Sequence, residues 1–144
     1  MTGRQNTQFA VASHVLIYLA GAGRGRVVSS DELAASVNVS PVHIRRVLGP
    51  LREAGLVRSR PGAQGGWELA RPATGIRLDE VWDLINADDP VLPSHGPSPQ
   101  CPVGRHVQGV LDELESGVAA AVRRELHGHT VADVADVADL AGDI

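Results

Sequence analysis

A chain of 144 residues, 43% hydrophobic and 21% charged, is long enough for one compact core plus an appendage that needs a partner, and too short for several independent domains. Its thirteen basic residues, all arginine, against seventeen acids give a net charge of −4. That average hides two opposed halves: residues 1–77 hold ten arginines and four acids, a net of +6, and residues 78–144 hold three and thirteen, a net of −10, so the acidic total does not exclude nucleic acid.

The first apolar run, residues 9–22, follows Arg4 and ends in small residues, as a secretion signal does. Ser13 and His14 interrupt it, and it is too short to span a membrane. Phe9, Ala12, Val15, Leu16 and Leu19 recur at helical spacing, which predicts a supporting helix over residues 6–21. Ser30, ahead of Asp31 and Glu32, reads as the N-cap of a second helix that buries Leu33, Ala34 and Val37. Asn38-Val39 makes a tight turn, Ser40 caps a third helix, and Pro41 takes its first position, where a missing N–H costs nothing. Ile44, Val47, Leu48 and Leu51 follow at i, i+3, i+4 and i+7, so His43, Arg45, Arg46 and Arg52 are turned outward. Pro50 removes a backbone bond to the Arg46 carbonyl, which predicts a bend, and Gly55 ends the helix.

Residues 56–59 and 67–70 read as two strands joined by R-P-G-A-Q-G-G, a wing. Leu78, Val81, Trp82 and Ile85 mark a short amphipathic helix expected on the first one. The Pro/Gly-rich segment 90–100 is a linker. Beyond Cys101 and Pro102, the residues Val103, Val107, Val110, Leu114, Val118, Val122 and Leu126 step by three or four along a long helix. Such a helix either pairs with a second copy over residues 101–127 or folds back on its own chain. Thr130 and Asp133 form a cap-like pair before Val131, Val134, Val137 and Leu140. The predicted fold is mainly α with a small β-hairpin wing: a winged helix-turn-helix domain over 1–89, the linker 90–100, and a dimerisation helix with a C-terminal helix over 101–144.

The major groove of DNA admits one α-helix, and a wing lies along the backbone or in the neighbouring minor groove. Arg45 and Arg46 have the donors to grip a guanine edge, and Val42 and His43 stand near the helix start where base edges come within reach. Ser40, Arg52, Arg58, Arg60 and the Gln64-Gly65-Gly66 backbone are the candidates for phosphate contacts that set register. Cap-turn-cap spacing, the helix stripe, the glycine hairpin and local positive charge agree on double-stranded DNA as the partner. A winged-helix module that binds protein is the alternative. No nucleophile-base pair or convergent carboxylate pair supports an enzyme.

The motif E-L-A-x₃-N-V-S-P-V-H-I-R-R-V-L-x₂-L-R-E-A-G-L-V-R-S-x-P-G-x₂-G-G-W-x-L-A-R-P, followed by I-x-L-x-x-V-W, resembles the Rrf-two family of bacterial winged-helix regulators. The resemblance covers residues 6 to about 127, and its wing signature is specific. It implies a homodimer, joined through the long helix, that binds a palindromic operator and, as is usual in the family, represses; the single cysteine, which leaves no internal disulfide, fits a reducing cytoplasm. Members that sense iron, nitric oxide or redox state hold an iron-sulfur cluster with three closely spaced cysteines ahead of the dimer helix. Here Cys101 stands alone, and one thiolate does not make a cluster site, so no cofactor is expected. Cys101 remains the sensor candidate: it precedes Pro102 at a helix N-terminus with Arg105 one turn on, a setting that favours thiolate, while a structural cysteine at the dimer interface is the other reading. A trio of His95, Cys101 and His106 matches no standard zinc spacing, so no metal is expected. A small-molecule effector between wing domain and dimer helix, with Trp82 in its wall, is a further alternative to redox control.

Overall fold

The structure, a computed structural model, describes residues 2–86 and 89–142, with side chains for 7–86 and 89–136. Helix α1 (Thr2–Ala20) runs through the middle of the core, with Val11, Ala12, Val15, Leu16 and Leu19 buried. Around it pack α2 (Ser30–Val37), α3 (Pro41–Glu53) and α4 (Leu78–Asn86). Phe9, the outermost member of the α1 stripe, is half-buried and meets Trp82 edge to face, with centroids 5.2 Å apart. That contact anchors α4 on α1, as their apolar faces predict.

Each helix boundary has a local cause. The cap of α2 is Ser29, not Ser30: Ser29 has extended backbone and its Oγ accepts the Glu32 N–H at 3.1 Å, while Ser30 is already in the first turn. Two adjacent serines offer the same chemistry, and only the backbone conformation separates them. At the other end Asn38 is left-handed (φ 63°) and its N–H reaches the Ala34 carbonyl at 2.8 Å, which turns the chain into α3. Ser40 caps α3 through the His43 N–H at 3.2 Å, and the helix continues past Pro50 to Glu53. Ile44, Val47, Leu48 and Leu51 are all buried, as their spacing predicts.

The wing is an antiparallel pair, β1 (Val57–Arg60) and β2 (Gly66–Leu69), with Val57 opposite Leu69 and Arg60 opposite Gly66. Both strands are shifted by one residue from the expected spans, although the Ala70 N–H still donates to the Leu56 carbonyl at 2.9 Å. Val28 adds a further bridge on the free side of β2: its N–H and carbonyl exchange bonds with Trp67 at 2.8 and 2.7 Å. A short 3₁₀ turn (Ala73–Gly75) leads to α4.

Helix α5 (Pro102–His127) divides the long stripe into a covered and an exposed part. Its C-terminal part lies against α4, with Val118 and Val122 half-buried and Leu126 packed on the core. Arg123 to Asp83 at 2.7 Å and His127 to Asp79 at 3.0 Å fasten this contact. Its N-terminal part presents Val103, Val107, Val110 and Leu114 to solvent. Residues 90–100 have no regular structure, as their composition predicts, yet they run back along α5: Glu115 accepts the N–H groups of Val91 and Leu92 at 2.7 and 2.6 Å.

Helix α6 (Val131–Gly142) opens with the reciprocal bonds of a capping box, Thr130 N–H to Asp133 at 3.0 Å and Asp133 N–H to Thr130 at 3.2 Å. Hydrogen bonding from Thr130, its backbone N–H first and then its side chain, holds the Asp133 carboxyl below its ordinary range. Val131 and Ala135 are buried in the same core as α1, so the C-terminal helix packs with the winged-helix body and not along α5. Val134 is half-buried; the side chains of Val137 and Leu140 lie outside the described residues.

Candidate nucleic-acid interface

Burying one stripe of α3 leaves its opposite face to solvent, and that face is basic. Val42 is 51% exposed at the first turn, and Arg45, Arg46 and Arg52 are exposed, with no ion pair among the described residues. His43 does not share this face fully. It is half-buried, its Nε2 is sealed from solvent without a hydrogen-bond partner, and it borders a cavity of about 470 Å³ with Thr7, Gln8 and Arg46. One hundred degrees per residue carries position 43 round towards α1, a placement that depends on where α1 lies.

The wing stands beside α3. A groove of about 340 Å³ separates them, lined by Ser29, Ser30, Arg45, Arg60, Gly65 and Gly66 among others, so an α3 arginine and a wing arginine border one space. Trp67 fixes the hairpin there: besides its bridge to Val28, its indole N–H donates to Ser30 Oγ at 3.3 Å. The two glycines are required by close approach. A Cβ on Gly66 would lie 2.5 Å from the Val28 carbonyl oxygen, and one on Gly65 would lie 2.0 Å from that of Arg60. The Gly65 N–H donates to the Gly62 carbonyl at 3.0 Å, so this amide serves the turn itself and is not open to a phosphate as the sequence suggests. Gln64 is exposed near the tip, and Ser40 is exposed with its Oγ engaged as a cap acceptor.

Two charge networks were not legible as such. Arg26 forms a fork onto Glu32, at 3.1 and 2.6 Å, and the Tyr18 hydroxyl donates to the same carboxylate at 2.5 Å, which ties α1 and the following loop to α2. The bonds from Arg26 and then Tyr18 hold the Glu32 carboxyl down to about 2, and the bond to Glu32 raises the Tyr18 hydroxyl. On the wing, Glu68 Oε1 accepts from Arg58 Nε at 2.8 Å and Arg60 Nε at 2.7 Å. Spacing along the chain gives no sign of the first network; the hairpin register, which sets Glu68 opposite Arg58, is the signal that finds the second.

Cys101 is exposed and is itself the N-cap of α5: its Sγ accepts the Gly104 N–H at 3.4 Å. The Arg105 guanidinium turns to the Pro99 carbonyl at 2.7 Å. Among the described residues no group of three or more His, Cys, Asp or Glu is placed to hold a metal ion, and His95 and His106 do not join Cys101. A single cysteine that belongs to no such group does not fit an iron-sulfur cluster. No helix among the described residues is long and apolar enough to cross a membrane.

A helix-turn-helix with an arginine-bearing outer face, flanked by a basic wing, defines a DNA-binding transcriptional regulator and not an enzyme. The chain belongs to the Rrf2 family, described as an iron-dependent transcriptional regulator, which it matches over residues 5–137. It is 34% identical to YwnA of Bacillus subtilis, named as an HTH-type transcriptional regulator, over 90% of this chain and 95% of that one. In structure it is similar to a transcriptional regulator from Lactobacillus plantarum (TM-score 0.74, 31% identity, 93% of this chain and 89% of that one). It is also similar to the oxidized form of CymR from Staphylococcus aureus (TM-score 0.63, 26% identity, 89% and 92%).

Proposed function

We propose that the protein is a cytoplasmic homodimeric repressor that reads a palindromic operator with α3 and needs no iron-sulfur cluster. The observation that carries this reading is the exposed, unpaired arginine face of α3 beside the wing groove. Val42, Arg45 and Arg46 touch base edges, while His43 offers only its outer edge because Nε2 is turned inward. Ser40, Arg52, Arg58 and Arg60 hold phosphates, with Gln64 and Gly66 bringing the wing tip to the backbone. The exposed valines and leucine on α5 join two copies, and the half-sites of such a dimer are expected one helical turn, about 34–36 Å, apart. Footprinting on the DNA upstream of its own gene tests this: a protected palindrome is expected, and Arg45→Ala with Arg46→Ala abolishes protection. Unchanged protection by that double variant removes the reading role from α3.

A second reading makes Cys101 the switch. Its thiol is exposed at the N-cap of α5, two residues before Val103 opens the apolar stripe, so oxidation there would act on the dimer seam. The similarity to a CymR solved in an oxidized form supports it. Cys101→Ser is expected to hold its operator in peroxide that releases the unchanged protein; equal release from both refutes the idea.

A further inference from the structure

The wing carries one acid on its outward face, and that acid is tied to both wing arginines. The register sets Arg58 opposite Glu68 and Ser59 opposite Trp67. Alternation along the strands therefore puts Arg58, Arg60 and Glu68 on one side of the hairpin, and Val57, Ser59, Trp67 and Leu69 on the other, which packs on the body. Glu68 lies low, with 19% of its side chain exposed, against 59% for Arg58 and 61% for Arg60. Both arginines reach its Oε1 through Nε, and among the described residues their terminal Nη groups make no hydrogen bond. The bond from Arg60, then that from Arg58, keeps the carboxyl below its ordinary range, so Glu68 is charged at neutral pH.

We infer that Glu68 limits the affinity of the wing for DNA: its carboxylate occupies the inner nitrogen of both guanidinium groups and cancels one of the two positive charges that the wing offers to the phosphate backbone. The inference rests on the assignment of Arg58 and Arg60 to phosphate contacts. An arginine binds a phosphate through two parallel N–H groups, either Nε with Nη or the two Nη. With Nε on Glu68 only the second mode is open. Two effects compete when the acid is removed. The arginines lose a partner that orders them, which weakens binding, and the wing gains a net positive charge, which strengthens it. Exposed ion pairs order side chains only feebly, whereas each phosphate neutralised contributes about 0.9 to the slope of log K against log salt. The charge effect wins.

The test measures binding of the full chain to a duplex of arbitrary sequence by fluorescence anisotropy between 50 and 200 mM salt. The proteins are the unchanged chain, Glu68→Gln, the double variant Arg58→Ala/Arg60→Ala, and the triple combination, each shown by thermal melting to be folded. Glu68→Gln is expected to bind several-fold tighter at 50 mM, with a slope steeper by about 0.9, so that its advantage shrinks about threefold by 200 mM. In the triple variant the slope is expected to equal that of the double variant, because neither retains a wing cation to neutralise a phosphate. If the double variant binds weakly but Glu68→Gln binds no tighter than the unchanged chain, the inference fails while the wing assignment stands. A double variant that binds like the unchanged chain removes the wing from the interface and sinks both.

Discussion

Leu114→Glu is the sharpest test of the proposed dimer. Leu114 is 51% exposed and lies outside the core cluster, so the substitution leaves the winged-helix body intact. Half of a leucine exposes about 100 Å² of apolar surface, or about 200 Å² over a symmetric pair, which at about 25 cal/mol per Å² is worth about 5 kcal/mol on association. Glutamate forfeits that gain and sets two carboxylates at the seam. A loss of about 4–5 kcal/mol weakens the dimer by about a thousandfold or more. Sedimentation velocity at micromolar concentration should therefore show dimer for the unchanged chain and monomer for Leu114→Glu, with matching far-ultraviolet circular dichroism. Ser116→Glu adds the same charge at an exposed position about 200° round the helix and should remain dimeric. A folded Leu114→Glu protein that sediments as the unchanged dimer would refute the assignment of this stripe to the seam.

Other outcomes follow from the caps and charge networks. Ser29→Ala should lower unfolding stability by about 1 kcal/mol through loss of the α2 cap, and Ser30→Ala by less, because it gives up only the bond from the Trp67 indole. The reverse order in urea unfolding would reinstate Ser30 as the cap. Glu32, with a carboxyl held down to about 2 against an ordinary 4.5, stabilises the fold above pH 4.5, and that contribution disappears as the pH falls towards 2. The stability gap between the unchanged chain and Glu32→Gln should hold constant from pH 7 to 5 and narrow from pH 4.5 downward. A gap independent of pH in urea titrations would show that the Arg26 fork does not depend on the carboxylate charge. Gly66→Ala should dislodge β2 from Val28, since the new Cβ would meet its carbonyl oxygen at 2.5 Å, and so weaken DNA binding at every sequence tested. Operator affinity equal to that of the unchanged chain would show that the wing's seat on Val28 is dispensable.

The sequence by itself determined the elements and the arginine-bearing outer face of α3. Periodicity is a local property: Ile44, Val47, Leu48 and Leu51 must share one side of a helix whatever surrounds it, and Arg45, Arg46 and Arg52 are thereby left on the other. Turn and cap chemistry is nearly as local, which is why Asn38, Ser40 and the Thr130/Asp133 pair stand where their residue types predict. What spacing does not contain is the position of one element relative to another. Whether Ser29 or Ser30 caps α2, whether His43 faces DNA or α1, which end of the α5 stripe is covered, and where α6 docks were decided by packing across long separations in the chain. So was the hold of Glu68 on both wing arginines, because two strands must pair in one register before residues eight and ten apart meet at a single oxygen. Local free energies are written along the chain, and the contacts that set charge at the interface exist only once it has closed on itself.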